Sequence, residues 1–396
     1  MTKAGYKMTE IGKIPEEWTC HTIGDTEISV NTKAGGTPLR SKKEYYENGN
    51  IPFVKIADIV NSGKYLDNTT EKINERGIKN SSSWITPPYS ILFSMYASYG
   101  ELTINKVPVA TNQAILSIIP NKSNIDLEYF YYQLKFLKPR LVKYLRYTTQ
   151  NNLNASVVNS LIIPVAPLPE QQKIAEILST ADDEIQKVNE QITLTEQLKK
   201  GLMQRLLTRG IGHTKFKMTE IGEIPEEWGV KELKEFAKVE YGKSNPRTNG
   251  KIPLVGSSGI FGKVAKALIE SPTIVIGRKG TAGAVWDIEG PSWPSDTSFY
   301  LIYKNYDIVQ KYLYSFMSLN KLSGDKAKTT LPSLQKTELE KFIVPLPPLP
   351  EQQKIAGILS TVDNKLELLR TKRDKLDVLK KGLMNDLLTG KVRVKV

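Results

Sequence analysis

The stretch PLPEQQKIA occupies Pro167–Ala175 and returns unchanged at Pro348–Ala356. Nine identical residues in two places mark an internal duplication, and the duplication decides how the chain divides. Outward from it, ILST at Ile177–Thr180 returns at Ile358–Thr361, and LKKGLM at Leu198–Met203 returns at Leu379–Met384. All three pairs are offset by 181 positions, so about 40 residues align without a gap. A shorter repeat precedes each divergent region: MTEIGKIPEEW at Met8–Trp18 and MTEIGEIPEEW at Met218–Trp228, offset by 210. The second divergent region is therefore 29 residues shorter than the first.

The long repeat has the pattern of a continuous helix. Pro169 and Pro350 stand where a first-turn proline is tolerated, with Glu170 or Glu351 favouring the helix dipole. Apolar residues then recur at spacings of three and four. The first copy runs Ile174, Leu178, Ala181, Ile185, Val188, Ile192, Leu202 and Leu206. The second runs Ile355, Leu359, Val362, Leu366, Leu369, Leu376, Leu383 and Leu387. So narrow a seam is a coiled-coil signature, and Gly210 and Gly390 supply the usual C-terminal stops. Each seam needs a partner, and the other copy is in the same chain. Near-equal repeats favour a pseudo-two-fold, antiparallel pair. Gly201 and Gly382, each inside a helix, fit either close approach by a partner helix or plain tolerance near a fraying end.

The expected fold class is α+β, with two globular α+β domains separated by two long helices that form an intramolecular antiparallel coiled coil. The boundaries are 1–166 for the first domain, 167–210 for the central helix, 211–347 for the second domain and 348–396 for the C-terminal helix. The two divergent regions share an order of parts. ILFSMYASYGEL (Ile91–Leu102) is answered by TIVIGRKGTAGAV (Thr273–Val285), and VATNQAILSIIP (Val109–Pro120) by WPSDTSFYLIY (Trp293–Tyr303). An amphipathic helix follows each, at Leu127–Phe136 and Ile308–Met317, and then a polar segment, Thr148–Ser156 or Lys328–Leu334.

Composition narrows the chemistry. The 396 residues carry a net charge of +13, with an excess of five Lys/Arg over Asp/Glu in both 1–166 and 209–347. Two equally basic domains suit a polyanion touched at two places. One cysteine and two histidines leave no disulfide and little scope for thiolate or imidazole metal chemistry. No apolar run nears the ~20 residues of a membrane span, and the N-terminus lacks a signal-peptide core, so a cytoplasmic location is expected.

The divergent loops are rich in groups that pair with base edges and phosphates. In the first region the candidates are Arg40, Lys42, Lys43, Tyr96, Ser98, Tyr99, Asn112, Gln113, Gln150, Asn151, Asn152 and Asn154. In the second they are Ser244, Asn245, Arg247, Arg278, Lys279, Thr281, Asp296, Lys326 and Lys328. Three short patterns point elsewhere and fail. AKVEYGKS (Ala237–Ser244) resembles a phosphate loop, but Asn245-Pro246 disfavours the helix such a loop must feed. TPPY (Thr86–Tyr89) has threonine where adenine methyltransferases carry Asp or Asn, and no glycine-rich S-adenosylmethionine loop accompanies it. GRKGTAG (Gly277–Gly283) lies in a strand–turn–strand context. No catalytic or metal-ligating constellation is expected.

Taken together, the doubled PLPEQQKIA-helix-LKKGLM block, the doubled TEIG-IPEEW stretch, VATNQAI, TTQNNLNAS and GRKGTAG resemble the specificity subunit of type I restriction–modification systems. The resemblance covers nearly the whole chain. It implies two target-recognition domains, each reading one half of a bipartite asymmetric site in double-stranded DNA, with the helices as a ruler. It also implies two modification (methyltransferase) subunits docked on the helices through the seam residues and their neighbours, and restriction (translocase/nuclease) subunits beyond them. On those partners the resemblance places S-adenosylmethionine, ATP and magnesium, and on this chain no catalysis. Two other readings of the residues are a free-standing DNA-binding regulator that dimerises through its helices, and a structural adaptor that binds protein. Steep salt dependence of binding would separate DNA contact from the adaptor.

Overall fold

The computed structural model describes residues 5–96, 98–141, 153–304, 308–320, 322 and 333–395. The chain forms two compact units, Met1–Lys187 with Arg373–Val396, and Val188–Lys372. Each unit holds one divergent region together with part of both long helices.

The central helix is Leu168–Arg209 and the C-terminal helix is Leu349–Leu387. Ile174, Leu178, Val188, Ile192 and Leu206 are buried on the first, and Ile355, Leu359, Leu366, Leu369 and Leu387 on the second. Ile185, Leu202, Leu376 and Leu383 are half-buried. In the first unit Lys380, late in one helix, pairs with Asp182, early in the other. In the second unit Lys199 meets Asp363 at 2.5 Å and Arg370 meets Glu196 at 2.7 Å. Both units therefore pair the helix segments antiparallel. Lys199 and Lys380 are the same residue of the repeat, as are Asp182 and Asp363, so the duplicated helix recognises itself. Of the two readings of Gly201 and Gly382, close approach is not found among the described residues: a Cβ added at either would have nothing within 4 Å. At both places the glycine faces open space.

The identical residues of the long repeat have identical tasks. The Trp18 indole donates from Nε1 to Glu170 at 3.0 Å, and that of Trp228 to Glu351 at 3.0 Å. Each tryptophan comes from a short repeat, whose hairpin turns on Gly12 (φ 109°) or Gly222 (φ 103°). Gln171 accepts from the Asp126 amide at 2.8 Å, just ahead of the helix Leu127–Leu137. Gln352 accepts from Val309, just ahead of Gln310–Leu319, at 2.9 Å. Glu170, Gln171 and Gln352 are buried polar groups, and these bonds offset the cost of their desolvation. The repeat is conserved within the chain because its side chains clamp each divergent region to the start of a helix.

The first unit is built on a five-stranded sheet, ordered Ser29–Ala34, Ile115–Pro120, Ile91–Ser94, Leu102–Asn105, Tyr65–Leu66. Its neighbours are antiparallel except for the last pair. The second unit has four antiparallel strands in the matching order, Ala237–Tyr241, Ser298–Tyr303, Thr273–Gly277, Val285–Ile288. A small three-stranded sheet accompanies each. In the first unit it is Ala110–Thr111, Ile51–Val54, Glu71–Ile73; in the second, Gly259–Val264, Ile252–Gly256, Trp293–Pro294. Residues 55–70 join two of its strands in the first unit, whereas Ser257 and Ser258 alone do so in the second. Much of the length difference between the two regions lies there.

Candidate functional site

Each unit gathers loops over the edge of its main sheet through the same set of main-chain hydrogen bonds. In the first, the Met95 amide donates to Ala114 at 2.8 Å, and Leu153 donates to the Met95 carbonyl at 3.0 Å. In the second, Arg278 donates to Thr297 at 2.8 Å, and Leu334 donates to Arg278 at 2.9 Å. The turn after each strand closes alike, Gly100 to Ser94 at 2.9 Å and Gly283 to Gly277 at 2.8 Å, on glycines with φ of 76° and 82°. The strand entering from the other side also matches: Gly36 donates to Thr111, and Lys243 to Pro294. Close approach enforces glycine there, since a Cβ on Gly35 would lie 2.1 Å from the Thr111 oxygen and one on Gly242 1.9 Å from that of Ser295. The match assigns residues to shared positions: Met95 with Arg278, Tyr96 with Lys279, Asn112 with Ser295, and Gln113 with Asp296.

The scaffold uses main-chain groups, so the side chains at its tips are free to differ. Tyr96, Ser98 and Gln113 are exposed in the first unit, and Lys279, Thr281 and Asp296 in the second. Arg278 lies over the Tyr241 ring at 5.3 Å and donates from Nη2 to the Asp296 carbonyl at 2.9 Å. Its Nε is buried with no partner among the described residues. Gln113 accepts from the Thr37 hydroxyl at 2.7 Å, which leaves its amide NH₂ outward. Tyr99 is half-buried against the core.

Other candidates have local partners. Asn112 accepts from the Ala114 amide at 3.1 Å and shapes its own turn. Asn154 caps the helix Ala155–Asn159 by accepting from Val157 at 2.9 Å, so its side-chain oxygen is committed; Asn followed by a short helix is a cap pattern visible in sequence. Arg40 pairs with Glu71 and stacks on Tyr46 at 4.8 Å. Burial raises the Glu71 carboxyl, but hydrogen bonds from Arg40 and Lys55 outweigh it and hold the group below the usual carboxylate range. Lys42 and Lys43 are exposed beside them. Ser244, Asn245 and Arg247 lie in the exposed loop after Tyr241, with Asn245 accepting from the Arg247 amide at 2.8 Å. Gln150, Asn151, Asn152, Lys326 and Lys328 lie outside the described residues. Tyr241, Lys243 and the hairpin Ser257–Phe261 join the second cluster although their sequence alone did not single them out.

The three misleading patterns find ordinary places. Ala237–Tyr241 is a strand, and no helix follows it. The Thr86 hydroxyl is buried against Ser117 at 2.7 Å. Thr273–Gly277 and Val285–Ile288 form the hairpin expected around GRKGTAG. Among the described residues no group of three or more His, Cys, Asp or Glu is placed to hold a metal ion. None of their helices is long and apolar enough to cross a membrane.

Comparison with known proteins adds an independent line. The family described as type I restriction modification DNA specificity domain matches residues 15–196 and 225–378. A putative type I restriction enzyme MjaX specificity subunit of Methanocaldococcus jannaschii is 31% identical, over 98% of this chain and 97% of that protein. The type I restriction enzyme MjaVIII specificity subunit of the same organism is 30% identical, over 97% and 95%. The crystal structure of a type I restriction–modification S subunit from M. genitalium shares the fold, with a TM-score of 0.63 over 96% of this chain and 98% of that one, at 19% identity.

Proposed function

Because the chain belongs to the type I restriction–modification DNA specificity family, we propose that it is the sequence-reading subunit of a complex that methylates adenine at N6. Its two loop clusters read the two halves of a bipartite asymmetric site. The observation that carries this reading is the matched scaffold with unlike tips: Tyr96 and Gln113 in one unit, Lys279 and Asp296 in the other, with Arg278 part-exposed where the first unit buries Met95. Like frames with unlike readers call for a non-palindromic target. Arg278 suits bidentate pairing with guanine, and Gln113 suits adenine.

The antiparallel helices set the unread spacer and dock two modification subunits. Supporting this, Leu198 and Leu379, equivalent in the repeat, are 56% and 54% exposed, and each stands three residues before an open glycine. Two equivalent exposed leucines beside a bare backbone suit two copies of one partner. Methyl transfer with S-adenosylmethionine belongs to those partners, and ATP-driven translocation and magnesium-dependent cleavage to restriction subunits, in the cytoplasm. This chain supplies position and no bond-making group.

Mapping N6-methyladenine across the host genome, with and without the gene, tests the reading. The expected result is loss of one asymmetric two-part motif and no other. An unchanged methylation pattern would refute it.

A further inference from the structure

The second unit carries an exposed aromatic that no core explains. Strands Ile252–Gly256 and Gly259–Val264 pair Leu254 with Gly262 and Val255 with Ile260, so Phe261 is left without a partner as a bulge. Bulges turn side chains out of the regular alternation and gather beside functional sites. Phe261 is 57% exposed and Ile260 is 62% exposed. One face of the ring is seated on bare backbone, since a Cβ on Gly256 would lie 2.9 Å from its Cε1 and 3.3 Å from the Ser295 hydroxyl.

This ring stands within the reading cluster. Ser257, at the tip of the same hairpin, donates its amide to the Thr297 hydroxyl at 3.3 Å. Thr297 in turn receives the amides of Arg278 and Lys279. Lys243 is bridged to Ser295 on the other side. An outward apolar ring on a hairpin tied through Thr297 to the Arg278–Lys279 turn does not match an apolar protein groove. It matches a duplex, whose phosphates take the cations and whose base steps take the ring. The matching strands of the first unit carry no such bulge: there Ile51–Val54 and Glu71–Ile73 pair in regular register, and Phe53 is fully buried.

We propose that Phe261 is a wedge that inserts at one base step of the half-site read by the second unit, unstacking it and bending the duplex there. The proposal rests on the DNA-reading function above. It makes part of that unit's specificity indirect, because pyrimidine–purine steps open more readily than others.

The test uses the full chain assembled with its modification subunits, on duplexes with 2-aminopurine placed in turn at each step of the methylated site. Apart from the target adenines, which the modification subunits draw out of the stack in both halves, binding should brighten one further position in the half-site of the second unit and none in the other. Phe261→Ala should abolish that signal and weaken binding on the order of tenfold, and Phe261→Trp should keep both. A site-specific complex in which no step beyond the target adenines brightens, or in which Phe261→Ala brightens that further step like the native chain, overturns the wedge while leaving sequence reading intact. Weaker capture of modification subunits by Phe261→Ala, with stacking unchanged, would make the ring a protein contact and also overturn it. If the assembled complex shows no preference among duplexes, the reading function itself fails.

Discussion

At matched positions the first unit presents Tyr96 and Gln113 and buries Met95, where the second presents Lys279 and Asp296 and leaves Arg278 part-exposed, on main-chain bonds that agree to within a few tenths of an ångström. The clamps beneath them differ hardly at all: Trp18 on Glu170, Trp228 on Glu351. The contrast has a physical cause. A loop held by amide-to-carbonyl bonds tolerates any side chain that points away, so its chemistry can change without cost to the fold. A clamp made by buried side chains needs those side chains, and a substitution strands a desolvated polar group. Divergence at the tips and identity at the clamps are two results of one construction.

The comparison breaks most sharply at the tryptophans. Trp18→Ala and Trp228→Ala each remove a fully buried indole and should each cost about 3–5 kcal/mol. Urea unfolding followed by hydrogen exchange should place each loss in its own unit. A cost below ~1 kcal/mol in one unit alone would mean that the two clamps do not do equal structural duty.

The glutamates sharpen it. Glu170 takes Arg393 through Nε at 2.7 Å and Nη2 at 2.9 Å in addition to Trp18. Glu351 takes His213 at 2.9 Å in the corresponding place. A guanidinium only donates and is permanently charged, so neutralising Glu170 leaves Arg393 without its carboxylate partner, whereas the His213 contact is a hydrogen bond that an amide oxygen can also make. Glu170→Gln should therefore cost about 3 kcal/mol, and Glu351→Gln about 1 kcal/mol. Equal costs in denaturant titrations would mean that the cation is not what distinguishes the clamps.

The duplication, the seam and the antiparallel pairing were legible because they rest on local periodicity and self-similarity. The order of parts in the divergent regions was legible too, and so was the turn at GRKGTAG. Which residues share a position was not, because it depends on strand register: Met95 answers Arg278 through bonds that reach Ala114 and Thr297, distant in sequence. Phe261 was hidden for the same reason, since a bulge exists only relative to its partner strand. Asn154 and Asn112 read as base-pairing groups from type alone, yet each bonds a backbone amide two or three residues on. Gly201 and Gly382 allowed either close packing or plain tolerance, and no packing against them is found among the described residues.

Separable readers on a common frame are tested most directly by methylome sequencing of strains carrying Gln113→Ala or Arg278→Ala. Each variant should relax the motif at one or two bases of a single half, opposite halves for the two variants, with the spacer length unchanged. If either substitution altered both halves, or lowered methylation evenly at every site, the two clusters would not be independent readers.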